Sequence, residues 1–292
     1  VNFDAGDDLK LHVARNGDGP PVVLLHGFTG CAGSWDSLRP ALDDRYTTLS
    51  VELPGHGRSS APENPARYAL PRFADDLARL LDSLEIERAA LLGYSMGGRA
   101  ALHFALRHPE RVAALVLESA SPGIADPAER AARALADAAL ADEIERGGIT
   151  AFVDRWEQLP LWASQASLPA EVRSRLRAQR LSRDPRGLAN SLRGAGAASQ
   201  PSVMEDLASY RGPALLVAGA LDAKYVELGQ LMQATIADSR LAVVPEAGHA
   251  VHLERPAALG ELVSGFLGAL PSARGRWPGV RQTAGHVATR SD

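Results

Sequence analysis

Gly93-Tyr94-Ser95-Met96-Gly97 places a serine at the centre of a G-x-S-x-G segment, directly after an apolar run and directly before a helical pattern. A serine hydroxyl reacts poorly unless a neighbour takes its proton. The glycines suit a very sharp strand-to-helix turn, where side chains two residues from the serine would clash. The helix that follows points its first amides at developing negative charge. His249, in PEAGHAVHLERP, is the expected base, because a neutral imidazole takes a proton and returns it near neutral pH. His252 is the alternative base, though it reads better as a support of that loop. Asp222, at the end of VAGALD, is the residue expected to orient the imidazole and stabilise its charged form. Asp238 could substitute, but it stands before the last strand, at the wrong end of the sheet. The chain order Ser95, Asp222, His249 fits a serine on a strand-to-helix elbow.

The backbone amides of Met96 and Phe28 are the expected oxyanion donors, Phe28 lying in the glycine-flanked HGFTG segment (26–30). His26 reads as a support of that loop. Tyr94, beside the serine, has a claim on the pocket, whereas Trp35 reads as packing. Arg99, four residues past Ser95, points from the first helical turn, where a lipase-like pocket would favour an apolar side chain. Further candidates are Arg130, Arg133, Arg155, Arg180 and Arg193, with Trp156 and Trp162 nearby. Several arginines on one cavity would select an anionic small molecule, because guanidinium pairs bidentately with carboxylate.

The elements that must position these groups alternate. LKLHVAR (9–15), VVLLHG (22–27), YTTLSVELPGHG (46–57), AALLGYSMGG (89–98) and RVAALVLESAS (111–121) contain strands. Helices are predicted over 71–84 and 99–108. This order belongs to a mostly parallel sheet covered on both faces. From about Ser121 to Tyr210 the pattern turns helical throughout. Strands then resume at 212–222 and 240–249, with helices near 225–235 and over 256–270. The reading is an α/β core formed by 1–120 and 211–270, with a helical lid at 121–210 inserted over the carboxyl edge of the sheet. The stretch 271–292 reads as a peripheral or disordered tail.

Of 292 residues, 46% are apolar and 23% charged, which is ordinary for a globular protein. Thirty-one basic against thirty-five acidic residues, a formal charge of −4, give no electrostatic case for nucleic acid or an anionic membrane as partner. No apolar stretch approaches the roughly 20 residues that cross a bilayer. The polar start VNFDAGDDLK does not look like a secretory signal, so a cytoplasmic protein is expected. A single cysteine, Cys31, excludes an internal disulfide and a cysteine-rich metal site. Without a metal cluster, phosphate loop or dinucleotide fingerprint, no cofactor is expected.

The chain resembles the α/β-hydrolase-fold family of MenH, the 2-succinyl-6-hydroxy-2,4-cyclohexadiene-1-carboxylate synthases. The resemblance runs from about Pro21 to Leu267. HG, PGHG and GxSxG are common to the whole superfamily; GYSMGGR (93–99), SPG (121–123) with ERAAR (129–133), RWEQLPLW (155–162) and GLANSLRGAGAASQPS (187–202) are more particular. GALDAKY (219–225) and AGHAVHLERP (247–256) extend it. The resemblance implies a lyase of menaquinone biosynthesis in which Ser95 abstracts a proton while His249 and Asp222 maintain its basicity. It further implies that Arg99, Arg133 and Arg180 bind substrate carboxylates beside Tyr94 and Trp156, with Arg177 as the alternative to Arg180. Here Gly194-Ala195-Gly196-Ala197-Ala198 replaces the family's threonine-containing segment, and Glu52 stands where an aspartate is usual. The rival reading is a carboxylesterase or carbon–carbon bond hydrolase, since the same three residues serve both chemistries.

Overall fold

A computed structural model describes residues 1–270; the expected tail, 271–292, lies outside the described residues. Eight strands form one sheet: β1 Asn2–Asp4, β2 Lys10–Asn16, β3 Pro21–Leu25, β4 Thr47–Val51, β5 Ala89–Tyr94, β6 Val112–Glu118, β7 Ala214–Gly219 and β8 Ser239–Val244. Their order is β1-β2-β4-β3-β5-β6-β7-β8. The β1–β2 and β2–β4 pairs are antiparallel and every other pair is parallel. The three-residue β1 carried no periodicity that would have announced it. It forms by pairing Phe3 with Leu11 of β2.

The apolar runs are continuous because both faces of the central strands are covered. Every residue of β3, β4, β5 and β7 is buried. Successive side chains point to opposite faces, so Val23, Leu25, Leu91 and Leu117 enter one core while Val22, Leu24, Leu92 and Val116 enter the other. Helix α1 (Leu70–Ser83) buries Leu70, Phe73, Ala74, Leu77 and Leu81, a stripe at helical spacing that fills the first core together with α2 (Met96–Arg107). In the second core lie Leu259, Val263 and Phe266, from the last helix among the described residues, Pro256–Gly268.

Between β6 and β7 the chain is helical: α3 Pro127–Trp156, a 3₁₀ segment Pro160–Ser167, α4 Ala170–Leu181 and α5 Pro185–Ala195. The sequence marks two of these starts with an aspartate-proline step. Asp126 accepts the Glu129 amide at 2.7 Å and Asp184 the Gly187 amide at 3.1 Å, each followed by proline in the first turn. Gly148, at φ 76° and ψ 174°, breaks α3 into two helical pieces. Ala141, Ile144, Phe152 and Val153 of α3 pack with Leu188, Ala189 and Leu192 of α5 in a small core of their own. Phe28 joins that core from the sheet side, its ring 5.4 Å from Trp156 and 6.1 Å from Phe152.

Chain direction sets the rest. In β3, β5, β6, β7 and β8 the carboxyl ends lie along one edge. Loops leaving that edge carry Phe28, Ser95, Asp222 and His249, and helix α6 (Ala223–Thr235) starts directly after Asp222.

Candidate active site

Ser95 has φ 51° and ψ −108°, a conformation that costs a non-glycine residue about 1–3 kcal/mol. The turn is held because the Ser95 amide donates to Glu118 O at 2.9 Å and the Arg99 amide donates to Ser95 O at 3.1 Å. A Cβ on Gly93 would lie 2.4 Å from Gly97 O, and one on Gly97 would lie 2.0 Å from Leu25 O. Neither position admits a side chain. The result is a hydroxyl standing clear at the start of α2.

His249 reaches that hydroxyl. Its Nε2 lies 3.1 Å from Ser95 Oγ, and its Nδ1 lies 2.7 Å from Asp222 Oδ2. With Asp222 accepting from Nδ1–H, Nε2 is the nitrogen left to accept the serine proton. The two loops are tied by backbone, the Leu221 amide donating to Ala247 O at 2.9 Å. Rings surround the buried imidazole, with centroids at 4.5 Å (Tyr225), 5.4 Å (Tyr94) and 5.6 Å (Trp162). Asp238, the alternative acid, has its carbonyl bonded to Ala214 at the opposite end of β7. His252 is bonded to Glu118 Oε1 through Nδ1 at 2.8 Å.

His26 donates from Nδ1 to Gly27 O at 2.8 Å and accepts the Leu53 amide on Nε2 at 3.1 Å. Both nitrogens are spent, and burial followed by the neighbouring His56 pushes its pKa well below the ordinary histidine value. It is a neutral brace for the Phe28 loop. Glu52 braces the same region, accepting the amides of Ala32 at 3.0 Å and Arg58 at 2.5 Å.

A cavity of about 180 Å³ opens over Ser95 and His249. Phe28, Tyr94, Met96, Arg99, Arg133 and Trp156 line it. Burial keeps the Tyr94 phenol protonated well above its usual range. Arg99 donates from Nη2 to Ala195 O at 2.6 Å and from Nη1 to Gly196 O at 3.0 Å, at the C-terminus of α5. Burial lowers its pKa to about 10, so it remains a cation at neutral pH. The segment that departs from the family's threonine pattern is thus the segment Arg99 holds. Arg133 donates from Nε to Asp137 Oδ1 at 2.7 Å and stays half exposed.

Arg180 stands elsewhere. It lines a neighbouring cavity of about 520 Å³ together with Arg173 and Arg177. Its Nη1 binds Glu157 Oε1 at 2.9 Å and its Nη2 binds Gln165 Oε1 at 3.3 Å. The guanidinium lies over the Trp162 ring, 5.6 Å from the centroid, and Trp162 is the wall between the two cavities. Arg177 pairs with Glu157 at 2.7 Å and with Asp154 at 2.5 Å. Arg155 is paired with Glu143, and Arg193 with Asp142 and Glu145; neither lines the catalytic cavity, nor does Arg130.

The sequence reading gave no role to Lys224, Tyr225 or Asp137, all of which line the cavity. The first two follow Asp222 by two and three positions, on the first turn of α6. A helix starting at the orienting acid must place its first turn beside the imidazole, and that was the available signal. Asp137 lies one helical turn beyond Arg133, a spacing that brings the two side chains together. Such an arrangement is able to attack an acyl carbon or to draw a proton from a carbon acid, with the choice set by the substrate.

Comparison with known proteins narrows that choice. The family model described as alpha/beta hydrolase fold matches residues 20–256. A Bacillus subtilis (strain 168) protein with the provisional name 2-succinyl-6-hydroxy-2,4-cyclohexadiene-1-carboxylate synthase is 43% identical over 269 residues, 91% of this chain and 98% of its own. The Enterobacter sp. (strain 638) protein named 2-succinyl-6-hydroxy-2,4-cyclohexadiene-1-carboxylate synthase is 33% identical over 248 residues, 85% of this chain and 92% of its own. The solved structure of MenH from S. aureus superposes with a TM-score of 0.83 at 34% identity, covering 88% of this chain and 97% of that one. With its sheet order, its serine elbow and these relatives, the chain belongs to the α/β-hydrolase fold superfamily and, within it, to the 2-succinyl-6-hydroxy-2,4-cyclohexadiene-1-carboxylate synthase (MenH) family.

Proposed function

We propose that the protein is a carbon–oxygen lyase of menaquinone biosynthesis. It eliminates pyruvate from 2-succinyl-5-enolpyruvyl-6-hydroxy-3-cyclohexene-1-carboxylate to give 2-succinyl-6-hydroxy-2,4-cyclohexadiene-1-carboxylate. The observation that carries this reading is the cationic wall of the cavity that holds Ser95: Arg99, Arg133 and Lys224 all line it. A neutral ester gains nothing from partly buried Arg99, whose charge costs desolvation that an anion would repay.

Ser95 Oγ takes the proton from the ring carbon next to the succinyl carbonyl as its own proton passes to His249 Nε2. The electron pair moves onto the carbonyl oxygen, giving an enolate whose charge the Phe28 and Met96 amides receive. As the enolate reforms the carbonyl, a double bond forms between ring carbons 2 and 3, the 3,4 double bond shifts to 4,5, and the carbon–oxygen bond from carbon 5 to the enolpyruvyl group breaks. The departing enolate takes up the proton held on His249 and becomes pyruvate, which returns the imidazole to its neutral state. Asp222 holds the imidazole with Nε2 facing the serine throughout.

The catalytic cavity is smaller than the roughly 300 Å³ at which ligand pockets begin. Entry of a substrate with three carboxylates therefore displaces part of the helical insertion, which acts as a lid. The partition that separates the two cavities is Trp162, and with it turned aside Arg180 becomes the third carboxylate partner beside Arg99 and Arg133. Tyr94 and Trp156 supply flanking walls for the ring.

An assay offering the purified protein both the enolpyruvyl substrate and simple aryl esters tests the reading. The expected result is pyruvate released in step with diene absorbance and little ester turnover. Rapid ester hydrolysis with negligible pyruvate would replace the lyase by a carboxylesterase or carbon–carbon bond hydrolase.

A further inference from the structure

The loop that carries His249 is held by more than Asp222. Helix α7 (Val251–Glu254) ends in a buried carboxylate that turns back under the loop. Glu254 Oε2 accepts the Gly248 amide at 2.7 Å, and Glu254 Oε1 accepts the Ala250 amide at 3.3 Å. These amides stand on either side of His249, so one side chain fixes the peptide units that set the direction of the imidazole. A Cβ on Gly248 would lie 2.1 Å from Ser164 Oγ in the insertion and 3.2 Å from Glu254 Oε2. The position admits no side chain beside this carboxylate and the segment that carries Trp162.

Holding a loop this way is expensive. Among the described residues no cation pairs with the Glu254 carboxylate, and a buried carboxylate without a cation costs more desolvation than a neutral acceptor would. What it adds is two short-range, charge-assisted bonds to amides at a fixed spacing. That is a gain in placement. A second carboxylate, Glu118, continues the restraint three residues on, accepting the His252 amide at 2.9 Å.

We infer that Glu254 is a positioning residue for the base, clamping the backbone on both sides of His249 so that Nε2 stays on line with Ser95 Oγ. The inference rests on the reading of Ser95 and His249 given above. Glu254 touches neither the serine nor the cavity, and its influence passes through two peptide groups.

The test compares Glu254→Gln, Glu254→Asp and Ser95→Ala with the wild-type chain. Pyruvate-release kinetics, thermal unfolding and the low-field proton resonance of the His249 Nδ1–H···Asp222 bond are measured for each. Glu254→Gln keeps the volume but turns a donor toward one amide. Its kcat is expected to fall about 100-fold, as for an ångström-scale misplacement, with KM within about twofold. The low-field resonance shifts or broadens while the protein stays folded at the assay temperature. Glu254→Asp, still able to accept one amide, recovers part of kcat, and it carries the test alone if the glutamine variant does not fold. A folded variant with near-wild-type kcat, or a loss matched by the unfolded fraction with the resonance unmoved, overturns the clamp. If Ser95→Ala still releases pyruvate at the wild-type rate, the serine reading falls and the clamp with it. If Ser95→Ala is dead while folded Glu254→Gln keeps near-wild-type kcat, only the clamp falls.

Discussion

The edge of the sheet and the helical insertion above it both face the same cavity, and they are built on opposite principles. At the sheet edge, reactive groups are placed by backbone: a strained turn at Ser95, glycines packed without room for a Cβ, and strand ends that deliver Asp222 and His249 within 2.7 and 3.1 Å of their partners. In the insertion, the charged groups ride on long side chains and are held by other side chains, as with Arg133 on Asp137 and Arg180 on Glu157. The first arrangement fixes atoms to fractions of an ångström. The second holds its cations on carboxylates that belong to the insertion itself. On the reading proposed above, chemistry sits on the sheet, and recognition of an anion is shared between sheet and insertion, with Arg99 the member that belongs to both.

The sharpest way to break this division is Ser95→Ala, for which kcat for pyruvate release should fall about 10⁴-fold or more while the substrate still binds. Binding measured by calorimetry on that variant should survive; loss of both together would mean that Ser95 itself carries recognition. Next in size, Arg99→Ala removes a partly buried cation and two bonds to the end of α5, and kcat/KM should fall about 100-fold or more. Its thermal midpoint should fall as well, since Ala195 O and Gly196 O lose their donor. Arg180→Ala should cost about 10- to 100-fold, mainly in KM, as expected for one charge-assisted bond. A loss equal to that of Ser95→Ala, confined to kcat, would place Arg180 in the chemistry and end the contrast.

Acid separates the regions by stability. Burial pushes His56 down to about 4 and His26 lower than the ordinary value, so the folded sheet domain keeps both neutral. Below about pH 6.5 the unfolded chain takes up protons that the folded chain refuses. Stability is thus full above pH 6.5 and declines toward pH 4, by on the order of 3 kcal/mol for His56 alone. Thermal melts from pH 7.5 to 4 should show the decline, and His56→Asn should flatten it if the variant folds. The smallest effect belongs to the insertion surface. Arg193 with Asp142 and Glu145 is exposed, so raising salt should change stability there by no more than about 1 kcal/mol. Hydrogen exchange of α3 across a salt series measures it.

The sheet was legible in the sequence because a strand buried on both faces reads as a bare apolar run, as PVVLL and AALLGY do. The elbow was legible because only glycine fits the two positions flanking it. Less could be read where contact partners come from distant elements. Nothing near Arg180 in sequence announces that Trp162 separates it from Ser95, and nothing near Arg99 announces carbonyl acceptors almost a hundred residues away. Lys224 and Tyr225 were hidden for another reason. An exposed lysine and a half-buried tyrosine on a first helical turn look like any surface residues until α6 is docked beside the imidazole.

Local rules of the chain thus determined which residues form strands, where the reactive turn falls, and that the acid and the base follow it at later strand ends, because steric and periodic constraints act over a few neighbouring residues. Tertiary structure decided which cations share the cavity, which are already engaged by acids, and how the base is braced from behind. Those outcomes depend on side chains from separate elements meeting in space, where packing and the desolvation of charge choose among partners that the sequence lists without ranking.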